Sequence, residues 1–246
     1  MRRQRVGWCK LPGACTRSTT LLTAPPSFLH GGAWRDPSVT SAVADPLFSH
    51  VLNTHPPLAL NAASINYRLS PHPDCPANTA THPDHIDDVL AALAHLERTR
   101  GMRDYILVGH SAGATLAFQA LAALQQRAGA ALPLAVYGVE GIYDVRALIA
   151  EYPEYREFVA GAFGADDARW PSPLDIDGYR GLVVLAQSDD DGLLSWRQTE
   201  EMKERCELAL GVGGGIRVVK LAGQHDAVLE SDRLAGIVER YVRELR

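Results

Sequence analysis

Apolar residues follow two alternating rhythms along this chain. Between Pro83 and Arg98, Ile86, Val89, Leu90, Leu93 and Leu96 stand three or four positions apart, which gathers them on one face of a helix. Tyr105–Val108 is a short, unbroken apolar run that stops at Gly109, and a proline-free stretch rich in Ala, Leu and Gln runs from Ala112 to Arg127. The first predicts a buried strand and the second a helix. The alternation continues with strands over Leu134–Tyr137, Leu182–Ala186 and Ile216–Leu221, and helices over Trp196–Ala209 and Leu229–Leu245. A weaker strand-like run spans Leu58–Asn66, ahead of the turn-prone Ser70-Pro71-His72-Pro73. Short apolar strands separated by helices predict an α/β domain, with a mostly parallel central sheet flanked by helices on both faces.

Two regions break the rhythm. Residues 142–180 hold four Tyr, one Trp, two Phe and three Pro, too long a stretch for a simple connection, and predict a small helical cap or pocket segment. Residues 1–27 form an atypical N-terminal segment, read as disordered, ahead of a single domain over 28–246. Arg2, Arg3 and Arg5 precede no continuous apolar core, so a secretory signal is not expected. The basic, Ser/Thr-containing start resembles a mitochondrial transit peptide in composition, but Gly7, Pro12 and Gly13 interrupt the helix such a peptide needs. Pro25 and Pro26 lack the N–H that a central strand donates, so the leading strands are expected to be missing or shortened. The other reading is that this segment is not the domain's own start.

Composition adds boundaries rather than chemistry. The 246 residues are 46% hydrophobic and 22% charged, as in an ordinary globular domain of enzyme size. A formal net charge of -5, from 24 basic and 29 acidic residues, gives no footprint for nucleic acid or an anionic membrane. No apolar run approaches the length of a membrane span. The four cysteines, at 9, 15, 75 and 206, form no C-x-x-C pair that would point to zinc or redox chemistry. They read as reduced thiols of a cytoplasmic protein, a disulfide being the alternative that nothing in the spacing asks for, and no metal or cofactor is expected.

Gly109-His110-Ser111-Ala112-Gly113 fits G-x-S-x-G, a pattern that about one chain in ten of this length carries by chance. Its setting narrows the reading: it follows the apolar run and opens the predicted helix, the strand–turn–helix context of a nucleophile elbow. Glycines flank the serine where a tight turn crowds the backbone, and the helix N-terminus aims amides at developing negative charge. The competing reading is a serine that merely caps the helix. A serine nucleophile needs an imidazole base, and the base an orienting carboxylate, in the chain order Ser, Asp or Glu, His. His225, four residues beyond the strand ending at Leu221, is the only histidine after Ser111. Asp189, Asp190 and Asp191 all follow the strand Leu182–Ala186, and spacing alone does not choose among them. Upstream, His30-Gly31-Gly32-Ala33-Trp34 offers two glycines whose N–H groups approach a ligand oxygen unhindered by a Cβ. With the N–H of Ala112, Gly31 and Gly32 would bind the oxyanion of acyl transfer.

These residues resemble the α/β-hydrolase superfamily, in the hormone-sensitive-lipase-like branch with an HGG motif, and within it the kynurenine formamidases of the fungal type. The HGGAW of that family stands here as His30–Trp34 and continues as Arg35-Asp36-Pro37. Ile65–Pro71 is similar to its NYRLSP segment, His110–Gly113 to its HSAG elbow, and Gly141–Asp144 to its GIYD turn. The resemblance implies Asp191 as the triad acid, because Asp191-Gly-Leu-Leu194 followed by Arg197-Gln-Thr199 matches the family's D-x-L-L before a helix reading RQT. It places the family's late histidine at His225. It implies a serine hydrolase, without cofactor and often dimeric, that converts N-formyl-L-kynurenine to L-kynurenine and formate. That step belongs to tryptophan breakdown toward NAD. A formyl group needs little acyl space, so Trp34 and aromatics of 142–180 are expected around the kynurenine ring, with core packing as the competing reading, and His30 is expected beside Trp34 in the substrate pocket. The nearest alternative is a broad carboxylesterase of the same branch. A non-catalytic binding protein of this fold would have lost a triad member, and none is lost.

Overall fold

Each predicted strand forms, and the central ones are buried on both faces. The computed structural model describes residues 6–7, 24–54, 62–171 and 175–244. Within them one sheet contains β1 (Val6–Gly7), β2 (Pro26–Leu29), β3 (Ala63–Ile65), β4 (Ile106–His110), β5 (Ala135–Val139), β6 (Leu182–Ser188) and β7 (Gly215–Leu221). The helices are α1 (Asp45–Thr54), α2 (Asp84–Arg100), α3 (Ala112–Gln125), α4 (Val145–Glu151), α5 (Arg156–Phe163), α6 (Trp196–Ala209) and α7 (Asp232–Glu244). Leu107, Val136, Val183 and Leu185 point into a core shared with α2, α3 and α6. Ile106, Val108, Ala135, Tyr137, Val184 and Ala186 point the other way, against α1 and α7. With both faces covered, these strands read as unbroken apolar runs instead of alternating ones.

The spatial order is β1-β3-β2-β4-β5-β6-β7, parallel throughout except for β1 against β3. From β2 the chain moves outward to β3, then returns by α2 to β4 on the opposite side of β2. Ligands of open α/β sheets bind beyond the carboxyl ends of the strands where the order reverses in this way. Here those ends carry His30-Gly31-Gly32 and Ser111, side by side because Leu29 pairs with Gly109.

Among the described residues before β2, strand β1 comprises Val6–Gly7 and pairs antiparallel with β3. The boundary expected at residue 28 falls inside β2, which starts at Pro26. A proline is tolerated as the first residue of a strand, and the Pro25 carbonyl still accepts the Ile106 amide at 3.1 Å. The basic residues Arg2, Arg3 and Arg5, both early cysteines and Leu58–Leu60 lie outside the described residues. Helix α1 was not expected. Leu47, Phe48 and Val51 supply its apolar face, and an Asp45-Pro46 start suits a first turn. Among the described residues no helix is long and apolar enough to cross a membrane. The aromatic segment 142–180 contains α4 and α5 joined by a short 3₁₀ turn at Pro153–Tyr155, the helical cap its composition predicts.

Arg68 joins the segment after β3 to α2. Its guanidinium donates to both carboxylate oxygens of Asp88, at 2.8 and 3.0 Å, and to Asp84 at 3.0 Å. The Asp88 side chain is 8% exposed, so it depends on this partner. Arg68→Ala is expected to lower unfolding free energy by about 1–2 kcal/mol, because Asp88 keeps the amide of residue 68 but loses the guanidinium that balances its charge. Urea unfolding at neutral pH measures it.

Candidate active site

Ser111 sits where β4 turns into α3, with φ 53° and ψ -121°, and its side chain makes no capping hydrogen bond. This backbone conformation is strained for a residue with a Cβ, and it lifts the hydroxyl out of the sheet. The flanking glycines are required by contact. A Cβ on Gly109 would overlap the Gly113 carbonyl, and one on Gly113 would overlap the Leu29 carbonyl oxygen and lie 2.6 Å from that of His30. A Cβ on Gly31 would lie 2.9 Å from the Cβ of Ser111. The end of β2 is therefore pressed directly onto the elbow.

The His30–Trp34 loop is held by the segment that follows β3. The Tyr67 hydroxyl bonds to the carbonyl oxygens of His30 and Gly31, at 2.9 and 3.0 Å, and the Ser70 amide donates to Trp34 O at 2.9 Å. In a trans peptide the N–H points opposite to the C=O. Both carbonyls converge on Tyr67, so the N–H groups of Gly31 and Gly32 point away from it. Neither amide donates to a protein acceptor among the described residues. Burial pushes His30 down to about 4, opposed by the bond from its Nδ1 to Gly31 O (3.0 Å). Neutral His30 stacks on Tyr67 with ring centroids 4.4 Å apart.

On the opposite side, His225 Nδ1 donates to Asp191 Oδ2 at 2.9 Å. Asp191 Oδ2 also accepts from Gln187 Nε2 at 3.0 Å, while Oδ1 accepts the amides of Leu193 and Leu194 at 2.8 and 3.0 Å. Burial opposes ionisation of Asp191, but the hydrogen bonds from His225 and Leu193 hold its carboxyl well below the usual carboxylate range. Asp189 instead pairs with Lys220 and Trp196 at the surface, and Asp190 takes part only in a turn with Ser188. The structure thus brings Asp191, and neither neighbour, to His225. With Nδ1 committed to Asp191, the other ring nitrogen of His225 is left for the cavity that His225 shares with Ser111.

That cavity has a volume of about 330 Å³, within the usual range for small-molecule sites. Gly32 and Ala33 form one wall, Tyr155 and Phe158 of the cap another, and Leu193, Leu194 and Ile142 add apolar surface. Arg35, Asp36, His72 and Asp226 place charged or polar groups around it. Two residues expected around the ring lie behind the wall instead. His30 is buried under Tyr67, and Trp34 is 0% exposed, packed edge-on against Phe163 at 4.9 Å. The left-handed turn through Gly32, Ala33 and Trp34, with φ 81°, 49° and 59°, carries the indole into the core as the chain leaves the cavity.

Several residues that shape the site were given no role by the sequence. His110 is pushed down to about 3 by burial and the neighbouring His225, and its neutral ring donates from Nε2 to the His225 carbonyl at 3.0 Å. Gln198 accepts the amides of Tyr143 and Asp144, and Thr199 donates to Gln187. These bonds account for the R-Q-T pattern: one residue clamps the turn after β5 and the next orients the amide that holds Asp191. Glu140, directly after β5, is fully buried with φ 45° and accepts the Ser188 amide at 2.9 Å. Its patterning gave no hint of this position, since an isolated Glu before a Gly ordinarily reads as a solvated turn.

Trp34→Ala is expected to act on stability before it acts on substrate affinity. Removing a fully buried Trp costs about 3–5 kcal/mol, so the unfolding midpoint in urea should fall sharply. A variant of wild-type stability with a raised KM would return Trp34 to the cavity wall.

Comparison with known proteins agrees with this geometry. A family described as having the alpha/beta hydrolase fold matches residues 27–191. The kynurenine formamidase-like hydrolase fscH of Fusarium equiseti is 35% identical, across 89% of this chain and 83% of that protein. The kynurenine formamidase of Meyerozyma guilliermondii is 37% identical, across 72% of this chain and 69% of that protein. Kynurenine formamidase avaC of Aspergillus versicolor is 34% identical, across 87% and 88%. Among solved structures, a truncated carbohydrate esterase from gut microbiota aligns with a TM-score of 0.68 at 16% identity, covering 91% of this chain and 86% of that one. Esterase B from Lactobacillus rhamnosis aligns at 0.67 and 16%, covering 93% and 77%. At such identity the esterases speak for the fold alone. The fungal relatives speak for more, and the chain belongs to the kynurenine formamidase family of the α/β hydrolases.

Proposed function

We propose that the protein hydrolyses N-formyl-L-kynurenine to L-kynurenine and formate, with Ser111, His225 and Asp191 as nucleophile, base and orienting acid. The observation that carries the reading is the His225–Asp191 pair on the same cavity as the strained Ser111 elbow, in a chain related to curated kynurenine formamidases. Ser111 Oγ attacks the formyl carbon as His225 takes its proton. The negative charge that forms on the formyl oxygen is met by the amides of Gly31, Gly32 and Ala112. His225 then returns the proton to the departing aryl nitrogen, which breaks the C–N bond and leaves a formyl ester on Ser111. Water, deprotonated by His225, attacks that ester and releases formate. Asp191 holds the imidazole with its proton on Nδ1 and stabilises the imidazolium that forms in each half.

The cavity suits the leaving group. Tyr155 and Phe158 offer aromatic faces to the aniline ring. Arg35, against Asp36 and Asp226, offers both signs of charge to the carboxylate and ammonium of an amino acid. The free thiols of Cys75 and Cys206 fit a reducing compartment, and we place the protein in the cytoplasm. A broad esterase is the second reading, favoured by the apolar wall of Ile142, Leu193 and Leu194.

Two measurements test the proposal. Wild type should cleave N-formylkynurenine with a higher kcat/KM than a short-chain aryl ester, and Ser111→Ala should lose about 10⁴-fold or more. Equal rates for the two enzymes would end the serine mechanism, and a strong ester preference would replace the formamidase reading with the esterase one. Tyr67→Phe removes the hydroxyl that turns the Gly31 and Gly32 amides away from it. It should cost roughly tenfold in kcat, about 1.4 kcal/mol of transition-state stabilisation, with KM nearly unchanged.

A further inference from the structure

Behind the triad lies a carboxyl group to which the mechanism above gives no part. Glu140 directly follows β5, next to the strand whose following loop carries Asp191. Its Oε1 accepts the Ser188 amide, while Oε2 is buried and meets no protein donor among the described residues. Oxygen atoms of Glu140 and Asp191 and a ring nitrogen of His225 all lie within 4.8 Å of one another. Asp191 accepts four protein donors and is held ionised. A second anion here would face the first at close range inside the fold, with a buried oxygen on its near side that meets no protein donor among the described residues. A proton on Oε2 removes both problems, since it abolishes the charge and supplies the missing donor.

We propose that Glu140 is a positioning residue: a neutral carboxylic acid that donates from Oε2 to Asp191 and fixes that carboxylate against His225. The backbone fits this assignment. The left-handed φ of 45° is costly for a glutamate, and the Glu140 amide is anchored to Ala186 O at 2.8 Å, so the fold accepts strain to hold this side chain in place. Burial, with the Asp191 charge beside it, pushes the Glu140 carboxyl up to about 10. The ionisable groups facing it are Asp191, His225 and Tyr143, and the phenol of Tyr143 is raised well above its ordinary value.

The sign of the linked pH effect follows. The folded protein keeps a proton on Glu140 that the unfolded chain releases above its ordinary value of 4.5. The group therefore stabilises the fold fully below that value, and its contribution declines as pH rises toward about 10. Glu140→Gln has no such proton but keeps a donor for Asp191 and an acceptor for Ser188. Its unfolding temperature should fall less between mildly acid and mildly alkaline pH than that of wild type. Glu140→Leu keeps the bulk and loses both polar contacts.

The test combines these variants with infrared difference spectroscopy near neutral pH. Only its kinetic arm rests on the formamidase reading. We expect a protonated-carboxyl carbonyl band in wild type that Glu140→Gln lacks, and a shallower pH dependence of stability in that variant. Turnover by Glu140→Gln should stay within about threefold of wild type, while Glu140→Leu loses roughly 10- to 100-fold in kcat with KM little changed. No carboxylic-acid band, or an identical pH dependence of stability, would show Glu140 ionised and overturn the proposal, and both measurements stand if Glu140→Leu fails to fold. A Glu140→Gln enzyme as impaired as Glu140→Leu would overturn it as well. If Ser111→Ala were fully active, the function would fall, yet the infrared and stability results would still decide the state of Glu140.

Discussion

Gly113 has no side chain, and the first turn of α3 therefore rests directly on the backbone of Leu29 and His30. That contact sets the distance between the two halves of the site. It brings the end of β2, with its Gly-Gly amides, against the serine at the end of β4, and Gly31 and Gly109 complete the close approach. Any larger residue at these positions would separate the strand ends by a side chain's width. The parallel pairing of β2 with β4, where the strand order reverses, supplies the crevice, and the glycines let the backbone itself line it.

Such an arrangement concentrates strain. The four non-glycine residues with left-handed φ among those described are Ala33, Trp34, Ser111 and Glu140, and all stand in or immediately behind the cavity. Each is held by packing or hydrogen bonds that leave it little alternative. Trp34 is locked by its buried indole against Phe163, and the preceding turn by the bonds of Tyr67 and Ser70. Ser111 is fixed by its amide on Val139 O, and Glu140 by its amide on Ala186 O. Strain of this kind persists where the surroundings over-determine it, and here the surroundings are the two cores on either side of the sheet.

The motifs of the chain turn out to be joints between segments. N-Y-R-L-S-P holds the H-G-G-A-W loop through Tyr67 and Ser70 and ties itself to α2 through Arg68. The Gln and Thr of R-Q-T connect α6 to the turn after β5 and to Gln187 behind Asp191. Patterns that look like separate signatures in one dimension are thus pairs of surfaces that must fit. The β/α rhythm was legible because burial on both faces of a sheet imposes it locally. The elbow and the late histidine stand out because the proposed serine nucleophile restricts both residue type and chain order.

Other features had no local cause to leave a trace. Three successive aspartates differ only in where the loop after β6 points them, and Asp191 is selected by the amides of Leu193 and Leu194 and by His225, 34 positions away. Trp34 reads as a ligand-facing aromatic beside a glycine motif, yet three left-handed residues in a row turn it into the core. Glu140 and His110 carry ordinary polar side chains whose burial comes from strands and loops distant in sequence. The sequence by itself determined the fold class, the serine and the histidine, because periodicity and motif order are properties of neighbouring residues. Only the tertiary structure shows how Asp191, which the family motif singled out, comes to meet His225, which aromatics face the cavity and which acid lies behind the proposed triad, because those depend on contacts between segments that the chain order keeps apart.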